Sequence, residues 1–85
     1  MILRIFVAES PQGRSIRVEG RLSREGMAEL QRVVADGHGA TGVDLTNLMS
    51  MDSEGRDALR WLRASGLDLV GMPPALAWRL EEEAP

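Results

Sequence analysis

In Met51-Asp52-Ser53-Glu54-Gly55 a hydroxyl stands between two carboxylates, just where a short apolar run gives way to a helical pattern. Three kinds of chemistry are open to that set. A hydroxyl in the first turn of a helix lies among unpaired N–H donors at the positive end of the dipole, where a phosphate is stabilised, so Ser53 is a candidate phosphoacceptor. The plainer role is capping: Asp52 or Ser53 serves as the N-cap, worth about 1 kcal/mol, and the spacing alone favours this. The third is acid–base work by Asp52 and Glu54 as paired carboxylates. It ranks last, because a chain of 85 residues offers little room for an enclosed pocket.

Composition closes most other routes to chemistry. With no cysteine there is no disulfide framework, thiolate nucleophile or Cys-based zinc site, and with His38 as the sole histidine a metal would have to rely on carboxylates. No Gly-x-Ser-x-Gly elbow occurs, so neither a catalytic residue, a cofactor nor a metal is expected. Gly37-His38-Gly39-Ala40-Thr41-Gly42 matches the dinucleotide fingerprint literally. Its context is reversed, since these glycines follow a helix and precede a strand, leaving no helix N-terminus for a pyrophosphate; the segment reads as a helix stop and loop with His38 solvated. A net charge of −3 and a pI near 5.0 argue against nucleic acid as the main partner. The apolar start Met1–Ala8 lacks a basic leader and meets Glu9 at once, so neither signal peptide nor membrane insertion is expected, and the cytoplasm is the default location.

The elements that position these residues follow from periodicity. Leu3, Ile5 and Val7 alternate with Arg4 and Phe6 as a strand; Ser10-Pro11-Gln12-Gly13 turns the chain; Ser15 to Leu22 alternates again, with Ile16, Val18 and Leu22 inward. Ser23 stands as N-cap of a first helix carrying Met27, Leu30 and Val34 on one stripe and stopping at Asp36-Gly37. Val43, Leu45 and Leu48, with Asp44 and Thr46 between them, make a third strand. A second helix opens at Asp52 or Ser53, buries Gly55, Ala58, Leu59 and Leu62, and ends at Gly66. Leu67 to Val70 is a fourth strand, and Pro73-Pro74 opens a third helix held by Leu76 and Leu80, with Glu81-Glu82-Glu83 opposing its dipole so that its end frays. The order ββαβαβα predicts an α/β domain spanning residues 1–85: a four-stranded, mostly parallel sheet with an N-terminal antiparallel hairpin and about three helices. No repeat or linker marks a second domain.

Arg56, Arg60 and Arg63 fall at i, i+4 and i+7, on a stripe about 60° wide beside the apolar face. They make either an anionic docking strip next to Ser53 or, more plainly, a solvated face with Asp57 as counterion. Trp61 lies off the apolar stripe and is expected partly exposed at the core margin, whereas Trp78, Met49 and Met51 read as packing residues.

The Asp44-Leu45-Thr46 strand, the Asp52-Ser53-x-Gly55 helix start, and Leu67-Asp68-Leu69-Val70 before a Pro-led helix together resemble the STAS domains, named for sulfate transporters and anti-sigma factor antagonists. The resemblance runs from Leu3 to Leu80. It implies a non-catalytic module for protein–protein interaction in signalling and transcription regulation, with Ser53 matching the serine that a partner kinase phosphorylates. The implied contact set is Met51, Asp52, Ser53, Glu54, Gly55, Arg56, Arg60 and Arg63, and the implied partner is an anti-sigma factor of kinase-like type. The second reading is a constitutive accessory subunit of a larger complex, like the STAS-like partners of lipid-transport ATPases, in which Ser53 only caps. Glu54 stands where the family usually carries Ser or Thr, and a carboxylate there repels an incoming phosphate. The chain also ends about a strand and a helix sooner than a typical member, which leaves Leu67–Val70 as an open edge for pairing with a second copy.

Overall fold

The computed structural model describes residues 3–36 and 39–81. A hairpin of β1 (Arg4–Ser10) and β2 (Gly13–Leu22) leads into a 3-10 turn (Arg24–Gly26) and α1 (Met27–Asp36). There follow β3 (Ala40–Asp44), β4 (Leu48–Met51), α2 (Ser53–Ala64), β5 (Asp68–Val70) and α3 (Pro74–Glu81). The main sheet order is β1-β2-β3-β5, with β4 also paired to β2. Only the hairpin is antiparallel; β3 and β4 run parallel to β2, and β5 parallel to β3.

The helices cover one face of this sheet, over a single apolar core that includes Ile16, Val18, Leu22, Val43 and Leu45 from the strands and Leu30, Leu59, Leu62, Leu76 and Leu80 from the helices. The opposite face is polar and laced across strands: Arg4 pairs with Glu19 at 3.6 Å, Arg17 with Asp44 at 3.5 Å, and the Arg4 guanidinium lies 5.3 Å from the centroid of the Phe6 ring. This is the half-buried alternation that the strand periodicity predicted.

Three expectations are corrected. The third strand is two strands, because the Asp44 carboxylate accepts from the Thr46 N–H (3.0 Å) and the Thr46 hydroxyl (2.7 Å) and so breaks the run into β3 and β4 with a side-chain-closed turn. Both pieces still pair with β2, β3 beside Arg14–Arg17 and β4 beside Gly20–Leu22. Ser23 does not cap α1: it is extended, its hydroxyl donates to Glu25 at 2.8 Å, and the 3-10 turn intervenes before α1 begins at Met27. Finally, Trp78 (71% exposed) and Met49 (67% exposed) project from the surface, whereas Met51 is packed in the core. The spacing itself sets Trp78 outward, about 180° around α3 from the Leu76 and Leu80 anchors, and Met49 lies next to buried Leu48 on the alternating β4. The hairpin, α2, its end at Gly66 (φ 99°) and the Pro-led α3 stand where the sequence put them. The readings of Gly37, His38, Glu82 and Glu83 lie outside the described residues.

Candidate functional site

The corner ahead of α2 is assembled by the register of β2 on β4. Pairing Arg21 with Ser50 and Leu22 with Met51 sets the residues after β2 beside the residues after β4, across 28 positions of sequence. The Asp52 N–H donates to the Leu22 carbonyl at 3.1 Å, fixing the point where the chain leaves the sheet. Asp52 then caps α2 in extended conformation (φ −89°, ψ −176°), with Oδ1 accepting from the Gly55 N–H at 2.8 Å. Its other oxygen, Oδ2, accepts from the Arg24 N–H at 3.1 Å, so a single carboxylate joins the first turn of α2 to the 3-10 turn. The Gly55 N–H holds the Asp52 carboxyl below its ordinary pKa, with the Arg24 N–H and the charge of Arg21 acting in the same direction.

Gly55 is required by close approach. A Cβ there would lie 2.4 Å from the Leu22 carbonyl oxygen and 3.1 Å from the Leu22 carbonyl carbon, so only glycine lets α2 descend onto the end of β2. The Asp-Ser-x-Gly order thus has a physical division of labour. Asp52 caps, Gly55 permits contact, and Ser53 is left at the first helical position, exposed and outside the cap. Between the two roles the sequence left open for capping, the structure gives it to Asp52. Glu54 is also exposed and sits 3.9 Å from the Arg24 guanidinium, so the carboxylate beside Ser53 has a cation next to it.

The expected contact set is redistributed. Met51 is packed in the core and Gly55 lies against the Leu22 carbonyl, so both sit behind the exposed Ser53 and Glu54. The arginine stripe divides: Arg63 stays exposed and Asp57 is the counterion of Arg56, as the plainer reading expected, while Arg60 and Arg63 also reach α3. Arg60 Nε donates to the Leu80 carbonyl at 2.7 Å, and Arg63 Nη1 donates to Glu81, so both clasp the C-terminal end of α3. Arg56 is largely covered, with its side chain 12% exposed and its Nε 3.6 Å from Asp57. From α3, Arg79 Nη1 donates to the Met51 carbonyl at 2.7 Å, closing the same junction from the other side.

Outward lie Asp52 at the rim, Ser53, Glu54, Arg63 and the α2 face that continues through Asp57 to Trp61, which is 53% exposed as its position off the apolar stripe predicted. Two features here escaped the sequence. One is Arg24, the cation that serves the corner, which only the long-range β2–β4 register delivers. The other is a groove of about 360 Å³ between α1 and α2, lined by Met27, Leu30, Gln31, Glu54, Asp57, Ala58 and Trp61. Its α2 wall repeats at i, i+3, i+4, i+7 from Glu54, a spacing legible in the sequence, whereas the α1 wall that completes the groove is not. Among the described residues, no three metal-ligating side chains gather at one place, and no helix is long and apolar enough to cross a membrane.

No family model matches the chain, and no curated protein matches it. Among solved structures it is similar to an uncharacterised protein of the DUF3478 family with a SpoIIAA-like fold from Shewanella loihica PV-4. The two share 14% identity at a TM-score of 0.54, over 91% of this chain and 73% of the other. The likeness establishes the fold: the chain has the SpoIIAA-like architecture that STAS domains share, as its Asp-Ser-x-Gly segment and element order implied.

Proposed function

We propose that the chain is a non-catalytic regulatory module that binds another protein through the first turns of α2, and that phosphorylation of Ser53 switches this binding. The observation that carries the reading is the release of Ser53 from structural duty. Asp52 supplies the cap through its contact with the Gly55 N–H at 2.8 Å, so the neighbouring hydroxyl is exposed at the positive end of a 12-residue helix. A phosphate there adds about −2 charge. It meets the dipole and the nearby Arg24 on the favourable side and Glu54 on the unfavourable side, and Glu54 is already partly offset by Arg24 at 3.9 Å. The partner is an anti-sigma factor or kinase-like protein in the anti-sigma factor antagonist mould, and the setting is signalling in the cytoplasm.

The constitutive-subunit reading differs in one outcome. With Ser53→Ala and Ser53→Asp chains as bait in the native cell, a switch predicts that recovery of the same partner differs by about tenfold, within the usual range of coupling between a modification and a binding site. Equal recovery by both baits would leave a constitutive subunit and remove the switch.

A further inference from the structure

We infer that the groove between α1 and α2 receives a cationic amphipathic helix of the partner, with Trp61 as its apolar anchor. This rests on the reading of α2 as the partner-binding face and specifies what that face recognises. The groove has an apolar floor and wall, with Met27 and Leu30 from α1 facing Ala58 and Trp61 from α2. A half-exposed tryptophan beside such a trough is the residue type and placement that dominate binding energy at interfaces. The trough holds about 360 Å³, room for a few apolar side chains, which matches the i, i+3, i+4 anchors that an amphipathic helix lays into a groove.

Charge selects the partner. The groove lining includes two carboxylates, Glu54 and Asp57, and no cation. Each has an arginine nearby, Arg24 at 3.9 Å and Arg56 at 3.6 Å, yet their side chains remain 51% and 65% exposed and open to a second cation. Lys or Arg flanking the apolar face of an incoming helix meets these acids, while a helix with acidic flanks is repelled.

The test uses the full chain carrying Trp78→Phe, so that fluorescence reports Trp61 alone. It is titrated with three synthetic peptides: a Leu/Lys helix with Leu at i, i+3, i+4 and i+7, its Leu/Glu counterpart, and a scrambled Leu/Lys peptide of the same composition. The inference expects one-to-one binding of the first peptide with a blue shift of Trp61, amide shifts centred on Met27, Leu30, Ala58 and Trp61, and no binding of the second. Trp61→Ala should weaken binding about 30-fold, and Glu54→Gln with Asp57→Asn about tenfold at low salt. The inference is overturned by absent binding, by equal binding of the acidic or scrambled peptide, by amide shifts elsewhere, or by self-association of the chain through Trp61. No step requires a phosphate. A bound peptide with an unmodified Ser53 in the cell would leave the groove standing and remove the switch, and the opposite pair of results would do the reverse.

Discussion

Three residues at the start of α2 carry separable burdens, and substitution separates them. Gly55→Ala gains about 1 kcal/mol of helix propensity, but its Cβ would sit 2.4 Å from a backbone oxygen that has no rotamer to yield. Overpacking of this kind costs about 1–3 kcal/mol or more. Urea unfolding is therefore expected to find the variant less stable than the parent, and equal or higher stability would refute the close approach. Asp52→Ala should lose about 1–2 kcal/mol with the cap, whereas Ser53→Ala should stay within about 0.5 kcal/mol, as exposed substitutions do. Were the losses reversed in the same denaturant series, Ser53 would be the structural residue and its freedom would be gone. Asp52 also sets a pH dependence. Its folded pKa is depressed by the Gly55 N–H, so below the ordinary carboxylate value the unfolded state binds more protons than the folded one. The cap's contribution is full above the unfolded value and is lost as pH falls through the folded one. Asp52→Asn retains an N-cap acceptor without a charge, so melting curves from pH 7 downward should show a shallower acid decline for the variant; superimposable slopes would contradict this assignment.

At the level of elements, the arginines of α2 work as a clasp. Arg60 holds the Leu80 carbonyl and Arg63 holds Glu81, at the end of a helix whose buried anchors are Leu76 and Leu80. A half-buried charged hydrogen bond is worth about 1.5–3 kcal/mol, an exposed ion pair about 1 kcal/mol or less. Arg60→Ala should accordingly raise amide hydrogen exchange at Ala77 to Leu80 more than Arg63→Ala does, with α1 protected in both. Faster exchange spread evenly over the molecule would mean that the clasp is not local. This use of the stripe was hidden from periodicity, which gives the angle of a residue around its helix but not what packs against it. The break between β3 and β4 is, by contrast, legible: Asp44-Leu45-Thr46-Asn47 contains the side chains that close such turns, and the apolar period slips from two at Val43 and Leu45 to three at Leu48. Ser23 misled for a related reason, since the hydroxyl suits a cap but was drawn to Glu25 two residues on.

Across the whole molecule, stability of roughly 0.05–0.15 kcal/mol per residue gives about 4–13 kcal/mol, so the corner before α2 is held by a margin that one clash could erase. The fold class was readable because alternation, turn residues and helix caps agreed along the chain. The candidate site was readable only in its local part. Asp52, Ser53 and Gly55 announce themselves within four positions, whereas Arg24, Arg79 and the α1 wall of the groove reach it from 28 residues away or through tertiary packing. The central claim is that Ser53, relieved of capping, carries the regulatory phosphate. The most direct measurement is intact mass with peptide mapping of the chain recovered from its native cells. A single added phosphate placed on Ser53 is the predicted result, and a phosphate on another residue, or an unmodified chain under every growth condition sampled, would contradict it.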